Sequence, residues 1–244
     1  AEDITPAMME LGGKNPALVF PDADMEKTVS GVVRNAFYNG GQACSGTERL
    51  LLHESIADEF RERLAAAVEE LQVGDGRDEG TQVGPLVNAA QLDRVESAVA
   101  ASDRPVLARA DTPTDPDLED GYWFPPTVLD DVDPDDDIAQ EEVFGPVVSI
   151  TTFTDEEEAV ELANGVAYGL TSAIWTGDHA RATRLARRIE AGVVAINNPS
   201  RGGLGIPFGG YKSSGIGRKK DFTNTMREFS RVKAIRADLT DDRF

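Results

Sequence analysis

Short apolar runs alternate along the chain with longer stretches in which apolar residues recur every three or four positions. "NPALVF" (15–20) is a run of strand length, and "ADMEKTVSGVVRNAFYNGG" then places Met25, Val29, Val32, Val33 and Phe37 along one helical face. Gly40 and Gly41 stop that helix. "ERLLLHE" (48–54) predicts a second strand. Ile56, Phe60, Leu64, Val68 and Leu71 form the stripe of the next helix, with Ser55 as its expected cap and Asp58 three residues on. "NAAQLDRVESAVAAS" predicts a further helix, and 111–137 reads as a loop rich in Asp and Pro whose "DLEDGYWFPPTVL" centre is apolar enough to pack. Beyond it come "PVVSITTF" as a strand, "DEEEAVELANG" as a helix with its acids at the N-terminal end, and "LTSAIWTG" as a strand. "DHARATRLARRIEAG" follows as a helix, "VVAINN" as a strand, and "MREFSRVKAI" (226–235) as a short strand near the end. This repetition predicts an α/β fold: an open, mostly parallel, twisted sheet with flanking helices. No internal repeat and no linker divides the body.

Composition narrows the function classes. Apolar residues make up 40% of the 244 and aromatics 7%, as expected of a folded chain. No apolar run approaches the ~20 residues that span a bilayer, and no basic-then-apolar signal is seen, so no membrane partner is expected and the cytosol is the expected location. Acidic residues outnumber basic ones 44 to 24, a net charge of −20 that repels phosphate backbones and makes nucleic acid an unexpected partner. The cations are 18 Arg and only 6 Lys, with acids spread throughout, a pattern that fits either a surface adapted to high salt or an ordinary acidic protein. One cysteine excludes a disulfide framework, and two histidines give no basis for a metal site.

That cysteine, Cys44, lies in "YNGGQACSGTERL". A lone cysteine is most often a buried filler. Against this, Gly40 and Gly41 allow close backbone approach, Ser45 and Gly46 leave room beside the sulfur, and an anion-stabilising backbone there would lower the thiol pKa from ~8.5. The residues alone leave filler and nucleophile evenly balanced. A Cys–His hydrolase fits poorly, since His53 ends the following strand and His179 begins a helix. The best-placed base is Glu10 in "MMELGGKNP", between apolar residues and a Gly-Gly turn, with an ordinary edge-strand glutamate as the alternative. "QEEVFGPVV" (140–148) and "GIPFGGYKSSGIG" (205–217) read as turns over packed aromatics, and neither phosphate-cradling glycine pattern occurs in the chain.

Taken in order, "ELGGKNP", "GGQACSGTERL", "EEVFGPVV" and "PFGGYKSSGIGR" resemble the aldehyde dehydrogenase superfamily, over residues 8 to about 236. The resemblance implies a catalytic pair, Cys44 as nucleophile and Glu10 as general base. It implies that Glu142 hydrogen-bonds the nicotinamide ribose of NAD or NADP, that Phe144 lies near the nicotinamide, and that Leu11 and Gly12 also face the cofactor. Phe208 and Ser45 would line the site of a small aldehyde substrate, and Asn197 would support the cysteine loop. It implies oxidation to a carboxylic acid through a thiohemiacetal and a thioester, with Glu10 favouring hydrolysis over transfer to coenzyme A. Family chains are about twice as long, so this one resembles the C-terminal half. Residues 1–10 would be the last strand of a cofactor-binding domain, 11–224 the catalytic domain, and 225–244 an oligomerisation strand and tail of a homo-oligomer. On that footing the chain alone is expected to be inactive. A non-catalytic assembly module and a cofactor-free ester or thioester hydrolase using Cys44 and Glu10 stay open beside it.

Overall fold

The computed structural model describes residues 7–199 and 203–238. Its centre is a sheet of seven strands. In spatial order these are β4 (Val106–Arg109), β5 (Thr127–Leu129), β6 (Val147–Phe153), β3 (Thr47–His53), β2 (Asn15–Val19), β8 (Thr171–Trp175) and β9 (Val193–Ile196). All neighbouring pairs are parallel except β4 against β5. The α/β fold with a mostly parallel sheet that the sequence predicts is therefore what forms.

The strands are apolar on both sides because helices cover both faces. Ala17, Val19, Leu50, Leu52, Ala173 and Trp175 point to one face, where α1 (Met25–Ala36) and α2 (Ala57–Glu69) bring Val29, Val32, Phe60, Leu64 and Val68. The alternate positions Leu18, Leu51 and Ile174 point to the other, against Ala159, Val160 and Ala163 of α5 (Glu156–Asn164) and Leu185 of α6 (His179–Ala186). The switch of face at every residue is the strand period itself. A third cluster joins Val95 of α3 (Ala89–Ser102) to Ile138 and Ala139 of α4 (Asp137–Gln140), with Val143, Val147 and Leu129.

Three expectations need correction. Ser55 does not cap α2: residues Glu54–Ile56 form a 3₁₀ turn, the His53 ring accepts from Ser55 N–H at 3.2 Å, and the helix begins at Ala57. The Asp/Pro-rich segment is not all loop, because Thr127–Leu129 enters the sheet as β5, too short a run to show a period. The strand expected over 226–235 is replaced by α7 (Phe222–Glu228) followed by residues without regular structure, with Phe229, Val232 and Ile235 exposed. A strand requires a partner edge, and among the described residues none pairs with this one. Of the segments expected at 1–10 and 225–244, residues 1–6 and 239–244 lie outside the described residues.

Two small antiparallel ribbons complete the fold. β1 (Met9–Glu10) pairs with β11 (Gly215–Ile216), and β7 (Tyr168–Gly169) with β10 (Tyr211–Lys212). The parallel strands β2, β3, β6 and β8 all start at one edge of the sheet, and the loops feeding that edge are the ones that contain the sequence motifs.

Candidate active site

Cys44 lies in the turn leading into β3 and is half-buried. The turn is held from several directions. Gly41, at φ +71°, lies so close to the neighbouring loop that a Cβ there would sit 2.0 Å from the Gly145 carbonyl oxygen. The Asn15 amide donates to the carbonyls of Cys44 and Gly46, both at 2.8 Å, while its Oδ1 accepts from Thr171 N–H at 3.0 Å. Asn35 donates to the Ser45 carbonyl at 3.2 Å and to Thr47 Oγ1 at 2.9 Å. The nucleophile candidate thus sits on backbone whose acceptors are fixed by two buried amides.

Asn197 has no part in this. Its Oδ1 accepts from Thr176 N–H at 3.0 Å and its Nδ2 donates to the Thr176 carbonyl at 2.8 Å, tying it to the end of β8 instead of to the cysteine loop. The role expected of Asn197 falls to Asn15 and Asn35. Asn15 stands in "GGKNP", a motif already singled out, but its partners are 29 and more residues away and sequence does not reveal them.

Glu10 pairs with Gly215 across the β1–β11 ribbon. Both its carboxylate oxygens are shielded from solvent and accept no hydrogen bond, and Lys219 Nζ stands 3.4 Å from Oε1. Lys219 is in turn fixed by reciprocal 2.8 Å backbone bonds with Phe208. The Phe208 ring is buried, with Lys220 Nζ 4.3 Å and Lys219 Nζ 5.7 Å from its centroid. Leu11 is exposed beside this ribbon and donates its N–H to the Ser214 carbonyl.

The third loop contains Glu142 and Phe144. Gly13 N–H donates to Glu142 Oε1 at 3.0 Å. Gly12, at φ +86°, must lack a side chain, because a Cβ would fall 2.1 Å from Glu142 Oε2. Phe144 adopts φ +56°. Its carbonyl and that of Val143 accept from Gln91 Nε2 at 2.9 and 3.1 Å, and the two amides donate to the Glu48 carboxylate at 3.1 and 3.0 Å. Glu48 is itself paired with buried Lys14. Glu142 lines a cleft of about 590 Å³ between α3 and α4, shared with Arg94, which donates to the Glu142 carbonyl.

Electrostatics join the three loops. Burial pushes the Cys44 thiol up, and the charges of Glu10 and then Glu142 add to the rise, with Lys219 and Lys220 opposing it. The lowered thiol expected from the sequence is therefore reversed: burial and two carboxylates outweigh the pull of Lys219 and Lys220. Burial also raises the Glu142 carboxyl to about 6, held back by the Gly13 hydrogen bond. His53 and His179 sit where the sequence puts them, at the end of β3 and the start of α6. No group of three His, Cys, Asp or Glu side chains able to hold a metal occurs among the described residues. A cleft of about 960 Å³ between α1 and α2 is lined by none of these site residues, so cavity size does not mark the site.

Comparison with known proteins identifies the family. The family model described as "Aldehyde dehydrogenase family" matches residues 1–235. Aldehyde dehydrogenase citD of Monascus ruber is 43% identical over 239 residues, covering 97% of this chain and 48% of that protein. A betaine aldehyde dehydrogenase of Brucella anthropi is 38% identical over 241 residues, 98% of this chain and 49% of its own. Among solved structures, the Staphylococcus aureus betaine aldehyde dehydrogenase in complex with NAD+ superposes with a TM-score of 0.87 at 37% identity, over 91% of this chain and 44% of that one. An aldehyde dehydrogenase from Bacillus cereus superposes with a TM-score of 0.86 at 35% identity, over 93% and 46%. The chain spans about half the length of the curated relatives it matches.

Proposed function

The chain belongs to the aldehyde dehydrogenase family, and from that premise we propose that Cys44 is the nucleophile, and Glu10 the base, of an oxidation of aldehydes to carboxylic acids. The observation that supports this most is geometric: Gly41 of the Cys44 turn abuts Gly145, and Gly13, three residues after Glu10, donates to Glu142, so the three loops meet at one edge of the sheet. A half-buried thiol raised by burial and by two carboxylates, where three loops converge, is the pattern of a reaction centre more than of a core filler.

In the first step the Cys44 sulfur, as thiolate, adds to the aldehyde carbon and forms a thiohemiacetal, and the Cys44 N–H is the backbone donor toward the new oxyanion. NAD or NADP, when bound, supplies the acceptor for the hydride whose loss leaves a thioester. Glu10 then takes a proton from the water that attacks the thioester carbon, the carbon–sulfur bond breaks, and the acid and the free thiol are released. The oxygens of Glu10 are shielded and accept no hydrogen bond, with Lys219 paired to Oε1 at 3.4 Å, which leaves Oε2 to take that proton. Ser45, next to the nucleophile, and Phe208, under its two lysines, are the candidates to face the aldehyde.

The donor set fits a nicotinamide riboside. Glu142 offers a carboxylate as acceptor for ribose hydroxyls, bare Gly12 gives the space beside it, and Phe144 supplies an aromatic surface. A relative crystallised with NAD+ supports a nicotinamide cofactor. In this proposal residues 11–224 are the catalytic unit and 225–244 a tail that pairs with a neighbouring subunit.

The test is turnover of an activated ester, together with NADH formation from NAD+ and an aldehyde, by parent and Cys44→Ala protein, with thermal unfolding as the control for folding. Loss of turnover at an unchanged melting temperature supports the assignment. A variant rate within about tenfold of the parent, which is ~1.4 kcal/mol of barrier, contradicts it. Activated-ester turnover that requires Cys44 but gives no NADH would point instead to the cofactor-free hydrolase.

A further inference from the structure

Glu48 lies four positions after Cys44, and the reaction derived above makes no use of it. Its side chain is 5% exposed and that of its partner Lys14 is 2% exposed, with Lys14 Nζ 2.5 Å from Oε2. At such depth an ion pair loses more hydration than its own attraction returns, unless further hydrogen bonds satisfy it. The further bonds of Glu48 go to one loop. Val143 N–H donates to Oε2 at 3.0 Å and Phe144 N–H to Oε1 at 3.1 Å. Lys14 for its part directly follows Gly13, whose N–H donates to Glu142 Oε1. Its backbone carbonyl accepts from buried Arg49 at 2.9 Å, so the turn before it is anchored as well.

Phe144 sharpens the point. Its φ of +56° is a region that a residue with a side chain keeps only when its surroundings over-determine it. Glu48 holds Phe144 from the amide side and Gln91 from the carbonyl side. Two apolar side chains could fill the same space, and buried ion pairs are often replaced that way without loss of stability. They would leave the amides of Val143 and Phe144 without acceptors. The charged pair is thus explained by what it does for the loop, and not by the packing it provides.

We propose that the buried Lys14–Glu48 pair is a positioning device that clamps the Glu142–Phe144 loop to the Gly12–Gly13 turn and so sets the Glu142 carboxylate and the Phe144 ring for the cofactor. Its consequence for ligand binding rests on the reading of Glu142 as a cofactor contact; the clamping itself does not. Glu48 touches neither substrate nor sulfur in this scheme. It links the strand that follows the nucleophile to the loop that receives the nicotinamide end, so the two halves of the site keep one geometry.

Two variants test it on the full 244-residue chain. Glu48→Gln keeps the size and one acceptor, whereas Lys14→Met/Glu48→Met keeps the volume and removes every acceptor. Amide hydrogen exchange followed by NMR reads Val143 and Phe144 directly. In the double variant both amides, and in Glu48→Gln at least one of them, should exchange faster by about tenfold or more, with the amides of Leu50, Leu51 and Ile150 unchanged. With NAD+ as the probe, saturation transfer to its nicotinamide protons should fall in the same variants and in Glu142→Gln. Unchanged exchange at Val143 and Phe144 in both variants overturns the proposal. Faster exchange with undiminished transfer, where Glu142→Gln does lose it, overturns it too. Absence of transfer in the parent counts against the reading of Glu142, while the exchange rates still decide the clamp. If Glu48→Gln does not fold, the double variant decides; if neither folds, the pair is a core element and the proposal is wrong.

Discussion

A thiol raised by its surroundings has a reactivity that grows with alkalinity, and this sets the behaviour of Cys44. Only the thiolate attacks, so its alkylation by iodoacetamide should rise with pH to a midpoint above that of an exposed cysteine. Because Glu10 and Glu142 both contribute to the rise, Glu10→Gln and Glu142→Gln should each move the midpoint down. A midpoint that does not move in either variant would show that the carboxylates do not act on the sulfur. Cys44 and Glu10 stood out as candidates because their glycine-rich motifs are local patterns, while their roles came from the family resemblance, since the residues alone left nucleophile and filler evenly balanced. Asn15, Asn35 and Glu48 were not, since each acts through backbone groups that only the folded chain brings near. Asn197 shows the converse. A plausible motif residue spends both its amide atoms on Thr176.

At the level of elements, the site depends on how strands and helices are joined at one edge. Open α/β sheets usually bind ligands beyond the carboxyl ends of their strands. Here the candidate site residues gather at the opposite edge, in the loops that enter β2, β3 and β6. One buried cation stitches that edge to a helix: Arg49 of β3 donates to the carbonyls of Leu162 and Ala163 at the end of α5, at 2.6 and 2.8 Å, and to Lys14. Burial lowers its guanidinium to about 10. Arg49→Met should therefore cost roughly 3 kcal/mol or more, because three buried carbonyls lose their donor at once. Chemical denaturation measures this, and a loss below about 1 kcal/mol would refute the role. The main strands and helices were readable from their periods. β5 escaped because three residues carry no period, and the α2 cap because a 3₁₀ turn consumed Ser55. The strand expected near the C-terminus is a helix and an exposed segment, since pairing depends on an edge that sequence cannot supply.

Over the whole molecule, charge is the dominant feature. We propose that net −20 is a salt-adapted surface, with attraction concentrated where Arg181 and Arg184 meet Glu156, and Arg188 meets Glu157. The Debye length falls from ~30 Å at 0.01 M to ~3 Å at 1 M, so repulsion among acids across the surface is screened at high salt. The melting temperature should rise between those two conditions, and one that stays constant or falls would remove the proposal. No helix among the described residues is long and apolar enough to cross a membrane. The central claim, however, concerns what three converging loops accomplish together: Cys44 takes the acyl group and Glu10 delivers the water that removes it. An activated ester should acylate the sulfur without any cofactor, which makes this step directly testable in the chain itself. Intact-mass spectrometry after mixing Glu10→Gln protein with p-nitrophenyl acetate should show one acetyl group on Cys44 that persists, whereas the parent clears it and Cys44→Ala never gains it. An acetyl group that Glu10→Gln sheds as fast as the parent, or that forms equally in Cys44→Ala, would contradict the account.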